Sequence, residues 1–302
     1  MVHRVASCLV LAASVLGAQD LGKLRVFPPD NPWNWDIRSL PVHPDSARLI
    51  ESIGADKPLH PDFGPQAGIP FCVVGGKQKK VKVEFEYADE SDRGPYPIPD
   101  DAPIEGGEES EGDRHVLVID KDSKVLYELF AARKGEKGWT AGSGAIFELG
   151  SNELRPEGWT SADAAGLPIF PGLVRYEEVD RGEIPHALRY TVRRSRREFW
   201  WPARHFASRE TDDALPPMGM RVRLKADFDL SKYSKRVQVI LRCLQVHGMI
   251  LADNGSDWFI SGAPDERWSD DELHAIKQVK GADLEVVQTV DDKGKPIVPK
   301  KR

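Results

Sequence analysis

Cysteine is scarce in this chain: Cys8, Cys72 and Cys243 are the only three in 302 residues. So few cannot staple a small scaffold, and the fold must rest on a hydrophobic core. Pairing of Cys72 with Cys243 and two buried free thiols both fit the sequence. No run beyond the N-terminus is long and apolar enough to cross a bilayer. Positive charge is not in excess either. The net charge is −6, and the basic runs at Arg193–Arg197 and Lys300–Arg302 are local, which argues against nucleic acid as a partner.

Familiar catalytic signatures are missing as well. There is no Gly-x-Ser-x-Gly elbow, no phosphate-binding glycine loop and no Cys-His protease pattern, which weakens the serine-esterase, nucleotide and cysteine-protease readings. Asp253-Asn254-Gly255-Ser256-Asp257 lacks the final glutamate of an EF-hand loop. His115, His186, His205 and His247 show no local ligand spacing, so a metal site would need them to converge in space. No cofactor and no metal is implied.

What is present begins with a leader. His3 and Arg4 precede an apolar run from Val5 to Leu16, about a dozen residues, followed by small residues near Gly17 and Ala18. Residues 1–18 read as a signal peptide, so the expected location is secreted or periplasmic. The apolar run follows Cys8 instead of preceding it, which argues against a lipid anchor. Residues 19–290 read as one globular domain and 291–302 as a basic, frayed tail.

Within the domain, residues 19–70 form a proline-rich arm with one short helix near Asp45–Ile53, anchored by Trp33 and Trp35. Residues 89–112 are acidic and rich in proline and glycine, with no evident apolar face, and read as a mobile loop. VKVEFEY within Lys80–Tyr87 alternates as a half-exposed strand does. His115–Asp120 and Val125–Phe130 flank a turn and predict a hairpin. Ala145–Leu149, Ala187–Val192, Met220–Lys225 and Leu284–Gln288 read as further strands. Met249–Ala252 and Trp258–Ser261 read as a strand pair around the Asp253–Asp257 turn. Tyr233–His247 carries Val237, Ile240, Leu241 and Leu244 on one helical face, and Ser269 opens a helix through Val279. The expected fold is mainly β (α+β): a β-sandwich or irregular β-barrel with two or three helices and long loops.

The stretch from Trp139 to His205 has neither helical nor strand period. Glycines, prolines, tryptophans and ionisable groups are interleaved there, as in the lining of a pocket. Asp163 sits among small residues that permit close approach of a ligand, although Ser161-x-Asp163 is also an ordinary helix cap. His186 and His205 are of the type most readily tuned to proton transfer. Asp253 offers a second carboxylate opposite Asp163, or else belongs to a plain hairpin turn. Arg189 or Arg204 would steer an acidic group, Trp159, Trp200 and Trp201 would stack on sugar rings, and Asn254 would add a polar contact.

Several blocks resemble a family of exported proteins without an assigned activity. They are FPPDNPWNWDI (Phe27–Ile37), GWTSADAAGLPIFPGLVRYEEV (Gly158–Val179), HALRYTV (His186–Val192), WPARH (Trp201–His205), PPMGMRVRLKA (Pro216–Ala226) and HGMILADNGSDWFISGAPDERW (His247–Trp268). The resemblance covers nearly the whole chain after the leader. It implies export and one integrated domain, and it supplies no mechanism.

The leading expectation is a carbohydrate-active enzyme, glycoside hydrolase or polysaccharide lyase, acting on an extracellular polysaccharide through Asp163, His186, His205 and Asp253. The alternatives are a non-catalytic carbohydrate- or surface-binding protein and a structural exported domain. The sequence leaves the oligomeric state open.

Overall fold

Period-two alternation in the central hairpin decides how the molecule is layered. The computed structural model describes residue 21 and residues 24–136 and 138–300; the expected leader lies outside them. Strand β4 (Val116–Asp120) pairs antiparallel with β5 (Val125–Phe130), as the sequence predicts. Successive side chains of a strand point to opposite faces. Leu117, Ile119 and Leu126 accordingly enter one core, and Val116, Val118, Tyr127 and Leu129 enter another. With β2 (Phe71–Val74) and β8 (Ser143–Glu148) this hairpin makes a four-stranded sheet in the order β2-β4-β5-β8.

Apolar surface covers both faces of that sheet. On one lies a small sheet of β3 (Val83–Phe85), β6 (Arg133–Gly135) and β7 (Gly138–Ala141), which contributes Val83, Trp139 and Ala141. On the other lies the main core, shared with a six-stranded mixed sheet in the order β1-β12-β9-β11-β10-β13. Its members are β1 (His60–Asp62), β9 (Leu188–Val192), β10 (Arg221–Leu224), β11 (Met249–Asn254), β12 (Phe259–Ser261) and β13 (Leu284–Val286). The fold is thus mainly β within the α+β class. The largest sheet is open, with β1 and β13 at its edges, so layering describes it better than closure into a barrel.

Four short helices complete the described residues: α1 (Ser46–Ile53), α2 (Tyr176–Arg181), α3 (Lys235–Val246) and α4 (Asp270–His274). In α3 the Ser234 hydroxyl accepts from the Val237 N–H, and Val237, Ile240, Leu241 and Leu244 are all buried. The Ser269 hydroxyl caps α4 in the same way, and the chain continues as a 3-10 turn, Ala275–Gln278.

Three local expectations need correction. Ser161-x-Asp163, which has the form of a helix cap, opens no helix: residues 161–165 form a plain turn, in which the Ser161 hydroxyl accepts from the Asp163 N–H. The acidic segment 89–112 does have an apolar side: Tyr96 and Ile98 are buried, and the Tyr96 hydroxyl donates to the Asp92 carbonyl. Finally, β11 and β12 do not pair with each other. Strand β9 lies between them, parallel to β11 and antiparallel to β12. Asp253–Asp257 therefore opens a connection that passes from one side of β9 to the other, which no local turn pattern can reveal.

The basic tail also folds back over part of its length: Val290 bridges Pro296, and Ile297 packs on the small cluster around Trp35. Cys72 and Cys243 are free and buried. The proline-rich arm is fixed by arginines. Arg221 donates to the carbonyls of Pro32 and His247, and Arg223 to those of Ile37 and Leu40.

Gly248 marks a tight junction, where α3 turns into β11. Its φ is +66°, and a Cβ there would lie 2.2 Å from the Val222 carbonyl oxygen. Gly248→Ala should lower the unfolding free energy by about 2 kcal/mol or more, read from a urea unfolding curve. An unchanged midpoint would contradict this packing of α3 on the six-stranded sheet.

Candidate active site

Arg189 projects from the middle of the six-stranded sheet into an almost dry interior. It is 4% exposed, and Asp163 is fully buried. Its Nε donates to Asp163 Oδ2 at 2.7 Å and its Nη2 to Asp163 Oδ1 at 2.6 Å, a two-point fork. Its Nη1 donates to the Ser261 hydroxyl at 2.6 Å from neighbouring β12. Asp163 arrives from the turn at 160–166, closed by Gly166. That residue has a φ of +69°, and a Cβ on it would meet the Trp159 carbonyl at 2.5 Å.

A bulge supplies the second carboxylate. In the β9–β11 ladder Ile250 pairs with Arg189 and Leu251 with Tyr190, and then the register slips so that Asp253 pairs with Thr191. Regular pairing would place Ala252 there. One extra residue exchanges which side chain faces the Arg189 side of the sheet, and it puts Asp253 there. Asp253 Oδ2 stands 3.8 Å from Arg189 Nη2, and about a quarter of the side chain, 23%, remains open. Burial and the adjacent Asp163 charge push its carboxyl up to about 7, and Arg189 offsets them only in part.

The third element comes from the acidic segment. Glu105 Oε2 lies 2.6 Å from His115 Nδ1, and His115 Nε2 lies 3.1 Å from the Ala162 carbonyl oxygen. Both ring nitrogens face acceptors, so the imidazolium satisfies both. Burial disfavours that charge, but the hydrogen bond and charge of Glu105 outweigh it and raise His115 above the ordinary histidine value. Burial likewise opposes the charge on Glu105, and His115 outweighs it, so the Glu105 carboxyl lies below the ordinary range. Its side chain is 25% exposed.

Two more carboxyls flank the cluster. Glu128 is fully buried on β5, takes the N–H groups of Ile169 and Phe170, and is pushed up to about 7 by burial. Asp62, exposed at the end of β1, is raised by the protein packed around it, while His60 and then Arg189 attract its charge.

Of the residues singled out in sequence, the structure brings together Asp163, Arg189 and Asp253. The others have separate partners. His186 Nδ1 donates to the Ala187 carbonyl, and its Nε2 lies 2.7 Å from Arg175 and 3.0 Å from Glu178, making a buried cluster of its own. His205 Nδ1 donates to the Ala164 carbonyl, and its ring stacks on Phe206. Arg204 donates to the Arg155 carbonyl, and Asn254 Oδ1 accepts from the Ser195 hydroxyl. Trp159 lies beside the Arg155 guanidinium, Trp200 stacks on His43, and Trp201 leans on Trp35. The three tryptophans are half-buried, each with a neighbour against its ring. Among the described residues no three of His, Cys, Asp and Glu are placed to hold a metal ion, and no helix is long and apolar enough to cross a membrane.

Glu105 is not among the residues singled out from the sequence, and His115 enters there only as one of four histidines without local metal-ligand spacing. Their joint signal is a glutamate inside a loop that ends directly on a strand-leading histidine, ten residues later. No protein-family model, curated protein or solved structure matches this chain.

A raised carboxyl makes stability depend on pH in a definite direction. Between its ordinary value of 3.8 and about 7, Asp253 holds its proton in the folded chain and loses it in the unfolded one. The folded state then binds more protons, so stability falls as pH rises through that window and stays low above it. Asp253→Asn removes this effect while keeping an acceptor for the Asn254 N–H. The variant should gain on the unsubstituted protein by an amount on the order of 2 kcal/mol from pH 4 to pH 8, measured by denaturant unfolding at both pH values. A constant difference would mean that Asp253 ionises normally.

Proposed function

We propose that this chain is an exported glycoside hydrolase acting on an extracellular polysaccharide, with Asp253 as general acid and Glu105 as base or nucleophile. One observation carries the reading: two partly open carboxyls on one arginine-centred cluster have been pushed in opposite directions, Asp253 up to about 7 and Glu105 down. Such a split assigns an acid and a base within a pair of like groups. In the step proposed, the Asp253 proton passes to the glycosidic oxygen as its bond to the anomeric carbon breaks. As base, Glu105 takes the proton of the attacking water; as nucleophile, its carboxylate bonds the anomeric carbon, and Asp253, now ionised, takes the proton of the water that cleaves that ester.

Asp163 has another part in this scheme. Held at both oxygens by Arg189 and sealed from water, it cannot exchange a proton with substrate. Its charge instead strengthens the hold of Asp253 on its proton. The lyase alternative is disfavoured because Arg189 is spent on Asp163 and Ser261 and Arg204 on Arg155, which leaves neither as a clamp for a uronate. A binding module would present exposed aromatics on one face. Among the described residues the exposed large apolar side chains are Val42, Tyr87 and Val298, a set with a single aromatic ring.

A polysaccharide panel with reducing-end and 235 nm readouts tests the proposal. Reducing ends should appear without new absorbance. The rate should fall as pH rises through about 7, where Asp253 loses its proton, and fall again in acid, below the ordinary glutamate range, where Glu105 gains one. Asp253→Asn should lower kcat by roughly 10²- to 10⁴-fold. Full activity in that variant, or absorbance rising with the reducing ends, would overturn the assignment.

A further inference from the structure

Arg114 is a buried cation whose guanidinium binds only carbonyl oxygens. It is 3% exposed. Nη1 donates to the carbonyls of Glu108 and Ser110, both at 2.7 Å, and more weakly to that of Gly107 at 3.4 Å, while Nε donates to the Ala132 carbonyl at 2.9 Å. One guanidinium therefore ties residues 107–110 of the acidic segment to the end of the central sheet.

Its backbone is unusual as well. With a φ of +50°, Arg114 occupies the left-handed region, which side-chain-bearing residues seldom adopt. It does so two residues before β4, and the next residue is His115. Backbone and side chain act on the same place: the Glu105 N–H donates to the His115 carbonyl, the Glu105 carboxylate faces His115 Nδ1, and the Arg114 fork closes the turn that follows Glu105. Strain of this kind persists only where the surroundings over-determine it, and it gathers at functional sites.

We infer that Arg114 is the positioning residue of the site: by clamping the carbonyls at 107–110 it sets the Glu105 carboxylate against His115 and so at the Arg189 cluster. The inference rests on the reading of Glu105 as the base, but its test does not use turnover. Arg114 has no hydrogen bond to either member of the dyad, so its influence passes through loop geometry.

The readout is the titration of the His115 imidazole followed by NMR. The groups acting on that ring are Glu105, Glu128, Asp163, Arg189 and Asp253. Glu105 alone belongs to the clamped segment. Arg114→Lys keeps the charge and most of the stem but loses the fork. It should lower the His115 midpoint by about one unit or more, towards the value in Glu105→Gln. Arg133→Ala, an exposed arginine on β6, should leave the midpoint unchanged. A folded Arg114→Lys protein that titrates like the unsubstituted chain would overturn the inference.

Should the lysine variant fail to fold, the unsubstituted protein still decides. Coupling between two sites is reciprocal, so the Arg114 Nε–H and the amides of residues 105–110 should shift with the His115 midpoint, and their indifference would sink the inference. Loss of the dyad coupling with an intact hydrolase panel, or the reverse, separates failure of this inference from failure of the hydrolase reading.

Discussion

The buried Arg189–Asp163 fork is the interaction on which the rest of the site depends. Two opposite charges stand in an interior that would penalise either alone, and removing one partner of such a pair commonly costs about 3–5 kcal/mol. The pair constrains more than its own residues. It fixes the turn at 160–166 against the six-stranded sheet, and its Nη1 adds Ser261 from a third chain segment. Because Asp163 neutralises most of Arg189, Asp253 receives only a distant share of the cation, at 3.8 Å. A fully available arginine would have pulled Asp253 down. A consumed one leaves it holding a proton near neutrality.

Strand order turns that electrostatic arrangement into geometry. Placing β9 between β11 and β12 gives Arg189 a neighbour on each side, and the bulge in β11 decides that one of them is Asp253. The central sheet carries Glu128 and His115 towards the same region from the opposite layer, so the cluster lies where the two largest sheets share a core. Such a site requires long-range pairing to be complete. It cannot be held by any single hairpin or helix.

This explains which parts were legible in the sequence. The β4–β5 hairpin, α1 and α3 are local objects with alternation, caps and turn residues, and they form where their patterns place them. Trp33 and Trp35 of the proline-rich arm are buried, but the carbonyl-bound arginines that fasten it, Arg221 and Arg223, carry no local signature. Asp163, Arg189 and Asp253 stood out because small or turn-forming neighbours surround ionisable groups. Their meeting was not readable, since the insertion of β9 between β11 and β12 joins residues some 60 positions apart. His186 attracted attention by residue type, yet Arg175 and Glu178, whose carboxyl is held down to about 2 by its neighbours, Arg175 foremost, against its burial, make it part of a separate buried network. The acidic segment misled for the opposite reason. Charge and glycine suggested solvent, whereas Arg114 and the burial of Tyr96 and Ile98 bind it to the sheet.

The energetics set the two buried networks apart. A fold selected for stability alone has no use for a carboxyl that resists ionisation. Asp253 and Glu128 both hold protons to about pH 7, and each destabilises the folded chain once it is ionised. The Arg175–Glu178–His186 network is the contrast: there the carboxylate is driven down, and its charge is fully used by its neighbours. Both networks are buried and both contain arginine, glutamate or aspartate, and histidine. Only the Arg189 cluster keeps two carboxyls partly open while pushing their proton affinities apart. Strain at Arg114, a bulge at Asp253 and a saturated arginine all bear on that one difference, which is the basis of the acid and base roles proposed for Asp253 and Glu105.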